Sequence, residues 1–347
     1  MNITTIGLDL AKNVFQVHGV NEQGKAVLRK TLKRPDVTNF FAKLLPCLIG
    51  MEACGSAHYW ARKLAELGHT VKLMAPQFVK PYVKTNKNDA RDAEAICEAV
   101  GRPNMRFVPV KTVEQQALLM LHRARQGFVV ERTAQANQIR GLLAEFGIVV
   151  PKGIRYLERR MPEILEDAEN GLPGMSRDLF NRLFSHFREL DRQVSELELQ
   201  IKAWHRETAD SLRLESIPGI GPLTASALVA SIGNATAFKN ARQLASWLGL
   251  VPRQDSSGGK DRLLGISKRG DVYLRTLLIH GARSVLLRLK GHADQAEGWL
   301  ARLATRRNPN IAAVALANKN ARIVWALLAH GREYQPGYDM ARTQAAA

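Results

Sequence analysis

The sequence predicts a mixed α/β domain at the amino end, then a pair of long helices, then a mostly α-helical second compact unit. Three observations predict it. Over the first hundred residues short apolar β runs alternate with helical stretches; from residue 113 the apolar spacing becomes that of long helices; from about 214 Pro–Gly turns punctuate shorter apolar ones. The 347 residues exceed the usual single domain, and a hydrophobic content of 46% supplies a core to each part.

The elements follow in order. Runs 3–10, 14–20 and 26–31 read as strands separated by turn signals, Asn21 and Gly24 among them, which suits an antiparallel meander. A helix after Pro35, a strand over 47–51, a helix over 56–67 and a strand over 70–74 come next. Pro76 opens another helical segment, and 89–100 is helical by its alanines and apolar spacing. Three strands, helix, strand, helix, strand, helix is the order of a ribonuclease-H-like fold.

From 113 to about 146, Leu118, Leu119, Leu121, Val129, Ile139 and Leu142 interleave with charges in one long helix, and a second runs from about 177 to 204. A loop-rich connector with a short helix joins them, so the pair would form an antiparallel arm or a dimerisation stalk, with apolar stripes that suit oligomerisation; the plain alternative is an inert spacer. The stretch "IPGIGPLTASALVASIG" then places Gly219 and Gly221 in a turn between helical runs, like a helix-hairpin-helix, where backbone N–H groups and a helix N-terminus meet a phosphate. Helices continue to about 330, and a disordered tail is expected beyond. The boundaries drawn are 1–110, 111–210, 211–332 and a tail at 333–347.

A net charge of +18 suits a polyanionic partner, with nucleic acid ahead of an anionic membrane surface. No stretch reads as the roughly 20 apolar residues of a membrane span, and no signal peptide is read at the start, so a cytoplasmic protein acting on the nucleoid is expected. Cys47, Cys54 and Cys97 lack CxxC spacing and read as reduced packing residues.

The carboxylates carry the chemistry. Asp9 interrupts the apolar run of the first strand, where an ionised group must be compensated or in use. In "IGMEACGS", Glu52 directly follows another buried strand; in "KNDARDAEAI", Asp89 and Asp92 share one face of a helical first turn. First and fourth strands are neighbours in such a sheet and the late helix crosses their ends, so the four converge. Their mutual repulsion calls for a cation, and hard oxygen ligands select magnesium or manganese as a two-metal site for phosphodiester chemistry. The plain readings are a pairing of Asp9 with Lys12 and helix-terminal roles for the other three. A sugar-kinase phosphate hairpin also starts with such an Asp, but Ala11, Lys12 and Asn13 do not suit one.

The second readable stretch is "PRQDSSGGKDRLLGISKRGD". Ser256 and Ser257 precede two glycines in a loop carrying Arg253, Lys260, Arg262, Lys268 and Arg269. A serine on a flexible turn can reach a phosphate, while the cations stabilise the charge that develops there. The plain reading is a basic loop that clamps phosphates, with the serines as turn residues.

Together, "GLDLAK", "GMEACGSAHYW", "KNDARDAEAI", "IPGIGPLTASAL", "LGLVPRQDSSGG" and "GISKRGD" resemble the DEDD transposases of bacterial insertion sequences, the IS110 family, and within it the IS1111-like subgroup. The resemblance runs from Asn2 to about Leu328. It implies a nuclease domain similar to RuvC-type junction resolvases with Asp9, Glu52, Asp89 and Asp92 as metal-holding tetrad, a coiled-coil arm, and a transposase domain with a nucleophilic serine, placed at Ser257 with Ser256 adjacent. It further implies composite sites across subunits of a dimer or tetramer, donor and target DNA as substrates, and a structured bridge RNA that selects sites. A structure-selective nuclease using the tetrad alone is the alternative.

Overall fold

The structure, a computed structural model, describes residues 2–83, 89–291 and 298–336, with the side chains of 89, 90, 290 and 291 excepted. The chain divides into two compact units, Met1–Val113 and Glu114–Ala347.

The first unit is built on a six-stranded sheet of order β3-β2-β1-β4-β5-β6. Its strands are β1 (Thr5–Leu10), β2 (Val14–Val20), β3 (Ala26–Lys33), β4 (Leu48–Glu52), β5 (Thr70–Met74) and β6 (Phe107–Val108). β1–β2 and β2–β3 form the expected meander, whereas β1–β4 and β4–β5 are parallel. The second turn forms because the Asn21 side chain accepts the backbone N–H groups of Gln23 and Lys25 at 3.1 and 2.9 Å while Gly24 takes φ +74°. β3 runs on to Lys33, which pairs with Val14, and β6 is a two-residue edge strand that no alternation announces.

Alternation along the strands makes two unlike faces. Ile6, Leu8, Phe15, Val17, Ile49 and Met51 form a buried layer with Phe41 of α1 (Val37–Phe41) and Trp60 and Leu64 of α2 (Ala57–Glu66). Each such side chain contributes roughly 1.5–3 kcal/mol by leaving water. The short α3 (Pro76–Val79) precedes α4 (Asp89–Val100), which lies across β1, β2 and β4 on the other face.

In the second unit, α5 (Val113–Ala144) and α7 (Gly174–Glu207) run antiparallel. The Arg125 guanidinium donates to Glu198 Oε1 at 2.9 and 2.5 Å, and seven residues on Arg132 donates to Asp191, seven residues back. At the far end Ile139 and Leu143 of α5 bury against Phe180, Phe184 and Phe187 of α7 and against Leu157, Met161 and Ile164 of α6 (Ile154–Glu166). The helices α8 (Ala209–Glu215), α9 (Pro222–Ile232), α10 (Ala241–Trp247), α11 (Val272–Gly291), α12 (Trp299–Arg306) and α13 (Pro309–His330) follow, with a two-stranded hairpin of β7 (Pro252–Gln254) and β8 (Leu263–Ile266) between α10 and α11.

One reading of the sequence needs correction. α13 is long and apolar enough, by length and composition, to cross a membrane. Its apolarity serves the core, where Ala312, Ala313, Leu316, Ala317, Ala321, Val324 and Leu327 are buried with α9 and α11. Past it, Glu333 pairs with Arg213 at 3.3 Å and Tyr334 packs on the same core, so the expected tail is anchored at its start; 337–347 lie outside the described residues.

Candidate active site

Two glycines set how close α4 comes to the sheet. A Cβ on Gly7 would stand 2.0 Å from the Ala93 carbonyl oxygen and 2.4 Å from the Cys97 nitrogen; one on Gly50 would stand 2.7 Å from Val100 Cβ. Asp9 and Glu52 each follow one of these glycines by two residues, so both leave the sheet on the face that α4 covers. β1 and β4 pair from Thr5↔Leu48 to Leu8↔Met51, and the next step along both strands sets Asp9 beside Glu52.

The direction of α4 brings in the remaining acids. Cys97 Sγ donates to the Thr5 carbonyl at 3.7 Å, whereas Gly7 lies beneath Ala93 and Cys97, so the helix runs opposite to β1. Two strand residues advance about 6.6 Å. That equals about four helical residues at 1.5 Å each. The level of Asp9 is therefore the first turn of α4, where Asp89 is the first residue and Asp92 is half-buried. The Asp89 side chain is outside the described part, and among the described residues no three His, Cys or acidic side chains close into a metal-binding cluster. What the fold brings together is Asp9, Glu52 and the first turn of α4 at the carboxyl ends of β1 and β4.

Cys54 marks the same place and departs from the sequence reading. It is exposed, unlike Cys47 and Cys97. Its thiol is pushed up by partial burial and then by the carboxylates of Glu52 and Asp9, which act together just beyond the strand ends.

The serines sit at the tip of the β7–β8 hairpin. Lys260 N–H donates to the Ser257 carbonyl at 3.0 Å across Gly258 and Gly259, whose φ of +56° and +75° make a tight turn with both central residues left-handed. The two hydroxyls differ. Ser256 Oγ accepts from Arg262 N–H at 3.2 Å and from the Gln254 amide at 3.0 Å, while the exposed Ser257 hydroxyl has no hydrogen-bond partner among the described residues. Arg253, Lys260, Arg262, Lys268 and Arg269 are all exposed along the hairpin and its outgoing strand.

The hairpin base is held tightly. A Cβ on Gly249 would stand 1.9 Å from the Arg269 oxygen, and one on Gly270 1.9 Å from the Trp247 oxygen, so two loops cross backbone on backbone. Lys268 N–H donates to Gly249 O at 3.1 Å, and the buried Arg275 donates to Leu248 O at 3.2 Å. The "GIG" turn is engaged in packing too. Gly219 (φ +89°) meets Gly281 of α11 so closely that a Cβ on Gly281 would fall 1.8 Å from the Gly219 oxygen, while the space beside Gly221, just before α9, is open.

Sequence reasoning missed a buried polar chain in the second unit. Ser226 Oγ donates to Pro222 O at 2.7 Å, so it accepts from His122 Nε2 at 3.1 Å; His122 Nδ1 then accepts the Tyr273 hydroxyl at 3.0 Å. Burial, helped by the cation of Arg125, holds the His122 imidazole down to about 4, consistent with this neutral tautomer. Residues from α5, α9 and α11 meet here at large sequence separation, and a lone histidine on a helix gives no signal of it.

Comparison with known proteins shows the family. Residues 6–148 match a DEDD transposase family and residues 211–296 match the Transposase IS116/IS110/IS902 family. The chain is 54% identical to the probable family 20 transposase of Pseudomonas aeruginosa, over 97% of this chain and all of that protein. It is 45% identical to the transposase of insertion sequence element IS1111A of Coxiella burnetii, over 97% and 92% of the two chains. It is also 44% identical to the transposase of element IS1328 of Yersinia enterocolitica, over 95% and 98%. With Asp9 and Glu52 side by side at the carboxyl ends of β1 and β4, a serine hairpin beyond them in sequence and relatives matched along their length, the chain belongs to the IS110/IS1111 family of insertion-sequence transposases, enzymes that cut DNA and transfer its strands.

Proposed function

We propose that this transposase cuts and rejoins DNA at the ends of its element by joining Ser257 covalently to a phosphate, with Asp9, Glu52, Asp89 and Asp92 as the ligands of divalent cations. The observation that carries the reading is the pairing of the two motif blocks with distinct geometry: acids converging at the carboxyl ends of β1 and β4, and one unpartnered hydroxyl at the tip of a clamped cationic hairpin.

The acids form an all-oxygen donor set that fits magnesium or manganese. Such ions, when bound, lower the energy of charge on the phosphate and on the departing oxygen. The chain supplies the rest. Ser257 Oγ forms a bond to phosphorus and gives up its proton, the ester bond to one deoxyribose oxygen breaks, and that oxygen leaves as a hydroxyl. Attack by the hydroxyl of another strand reverses the step and frees the serine. Arg253, Lys260 and Arg262 offset the charge of the five-coordinate phosphorus. The helix–turn–helix around Gly219 and Gly221 acts as a helix-hairpin-helix, with the open side at Gly221 toward the DNA backbone. The α5–α7 pair acts as a coiled-coil arm in a dimer or tetramer. A structured bridge RNA that selects sites rests on the family resemblance, and the net charge of +18 accommodates RNA and DNA together.

The test is a denaturing gel that detects a covalent protein–DNA adduct. Protein, DNA carrying the element's junction, its flanking RNA transcript and magnesium are combined, beside Ser257→Ala, Ser256→Ala and Asp9→Ala. The expected result is an adduct lost in Ser257→Ala and Asp9→Ala and kept in Ser256→Ala. Cleavage that needs Asp9 but never yields an adduct overturns the serine step and leaves a nuclease using the tetrad alone.

A further inference from the structure

The sheet face that carries the acids extends beyond them. Cross-strand partners share a face, and the register sets Glu52, Asp9, Gln16 and Thr31 in one row across β4, β1, β2 and β3; Gly7, His18 and Arg29 form the row beside it. On the opposite face, the neighbouring positions of β2 and β3 are the core residues Phe15, Val17 and Leu32. The polar rows therefore do not reflect a lack of apolar residues in these strands.

α4 covers β1 and β2 but leaves β3 at the sheet edge, and between them runs a groove of about 380 Å³ floored by Gln16, His18 and Thr31 and edged by Arg29, Arg91 and Glu94. Two guanidiniums face one carboxylate, so the groove is cationic. Thr31 Oγ1 donates to Gln16 Oε1 at 2.8 Å, which engages the amide oxygen and assigns the amide's other end as the N–H donor. Arg91 directly precedes Asp92 in the first turn of α4. From Asp9 to Thr31 is two strand spacings, or about 10 Å. A DNA strand at about 3.4 Å of axial rise per phosphate spans that in about three nucleotides.

We propose that this groove holds the DNA strand that continues from the bond being cut, with a phosphate between Arg29 and Arg91 and the Gln16 amide donating to a phosphate or sugar oxygen alongside. Arg29, Arg91 and Gln16 are positioning residues: they fix the register of the strand on the acids. The inference rests on the assignment of the acids as the cutting site.

Methylphosphonate substitution, which neutralises one phosphate at a time, tests it. The full-length protein, with its RNA transcript and magnesium, cuts element-end DNA bearing a single methylphosphonate at successive positions around the cut. Arg29→Gln and Arg91→Gln are expected to raise KM about three- to tenfold with kcat and melting temperature unchanged, the effect of losing one charge-assisted contact. One substituted position, about three nucleotides from the cut, slows wild type by the same factor and leaves Arg29→Gln no slower. Variants that cut like wild type, or factors that multiply at every position, overturn the proposal. A separate arm protects it from failure of the acid assignment: binding of a 12-nucleotide single strand from the same end is followed against salt in EDTA, as DNA and as RNA. Arg29→Gln is expected to lower the log–log salt slope for DNA by about one. If Asp9→Asn still cuts but this slope falls, the acid reading fails and the groove stands as a DNA site. An unchanged DNA slope, or a change for RNA alone, overturns it.

Discussion

Gly7 of β1 lies directly under the Ala93 carbonyl of α4, so that any Cβ at residue 7 would come within 2.0 Å of that oxygen. Backbone, unlike the end of a flexible side chain, has nowhere to go. Gly7→Ala is expected to cost about 2–4 kcal/mol and to lift the helix that carries Asp92 from the strand that carries Asp9. Thermal melting and cutting rate check it together. Gly50→Ala meets the Val100 side chain instead and costs less, since a side chain can shift.

The hairpin tip separates activity from stability. Gly258 and Gly259 both have open space beside them, so only their positive φ forbids a side chain. Gly259→Ala strains the turn by about 1–2 kcal/mol. Because β7 and the tip are exposed and outside the core, this is expected to reduce adduct yield severalfold while lowering the melting temperature by only a few degrees. A gel and a melting curve on the same preparation decide it.

Cys54 reports on the acids. Its thiol is raised in part by the charges of Glu52 and Asp9, so neutralising them lowers it and increases the thiolate at a given pH. Magnesium is expected to speed alkylation of Cys54 by iodoacetamide at mildly alkaline pH, because screening Glu52 and Asp9 lowers the thiol and raises its thiolate fraction. Asp9→Asn raises the basal rate and blunts the response. Cys47 and Cys97 are buried, each pushed up to about 11 chiefly by that burial, and stay silent in the mass spectrum.

His122 makes folding sensitive to acid. Its imidazole titrates at about 4 in the fold, against 6.5 for an unperturbed histidine, so as pH falls the unfolded chain takes up the proton first. This part of the stability is whole above about pH 6.5 and is lost steadily down to about pH 4, to a total of about 3 kcal/mol. Denaturant titrations across that range are expected to show the loss in wild type and a flatter profile in His122→Asn.

The sequence was readable wherever chemistry is local. The bounds 14–20, 70–74 and 89–100 are those of β2, β5 and α4, because turn residues or a helix start lie at each end. The convergence of Asp9, Glu52 and the start of α4 followed from strand order alone. The two-residue β6 was not readable, since its pairing with β5 is set by the sheet edge, not by its own pattern. Nor was the difference between Ser256 and Ser257: adjacent, identical residues differ only once Arg262 and Gln254 fold back on the first of them. The apolar run of α13 looks alike to a bilayer and to a helical core, and only its burial among other helices tells the two apart.

The division into two separately cored units means that a change at Asp9 and a change at Ser257 fall in different cores of one chain. A copy of the element crippled at Asp9 still makes an intact serine hairpin, and a copy crippled at Ser257 still makes an intact acidic edge. Where one copy's acids serve another copy's serine, as the family resemblance implies, a mixture of the Asp9→Asn and Ser257→Ala proteins is expected to regain the strand transfer that each lacks alone, which a mixing assay reads.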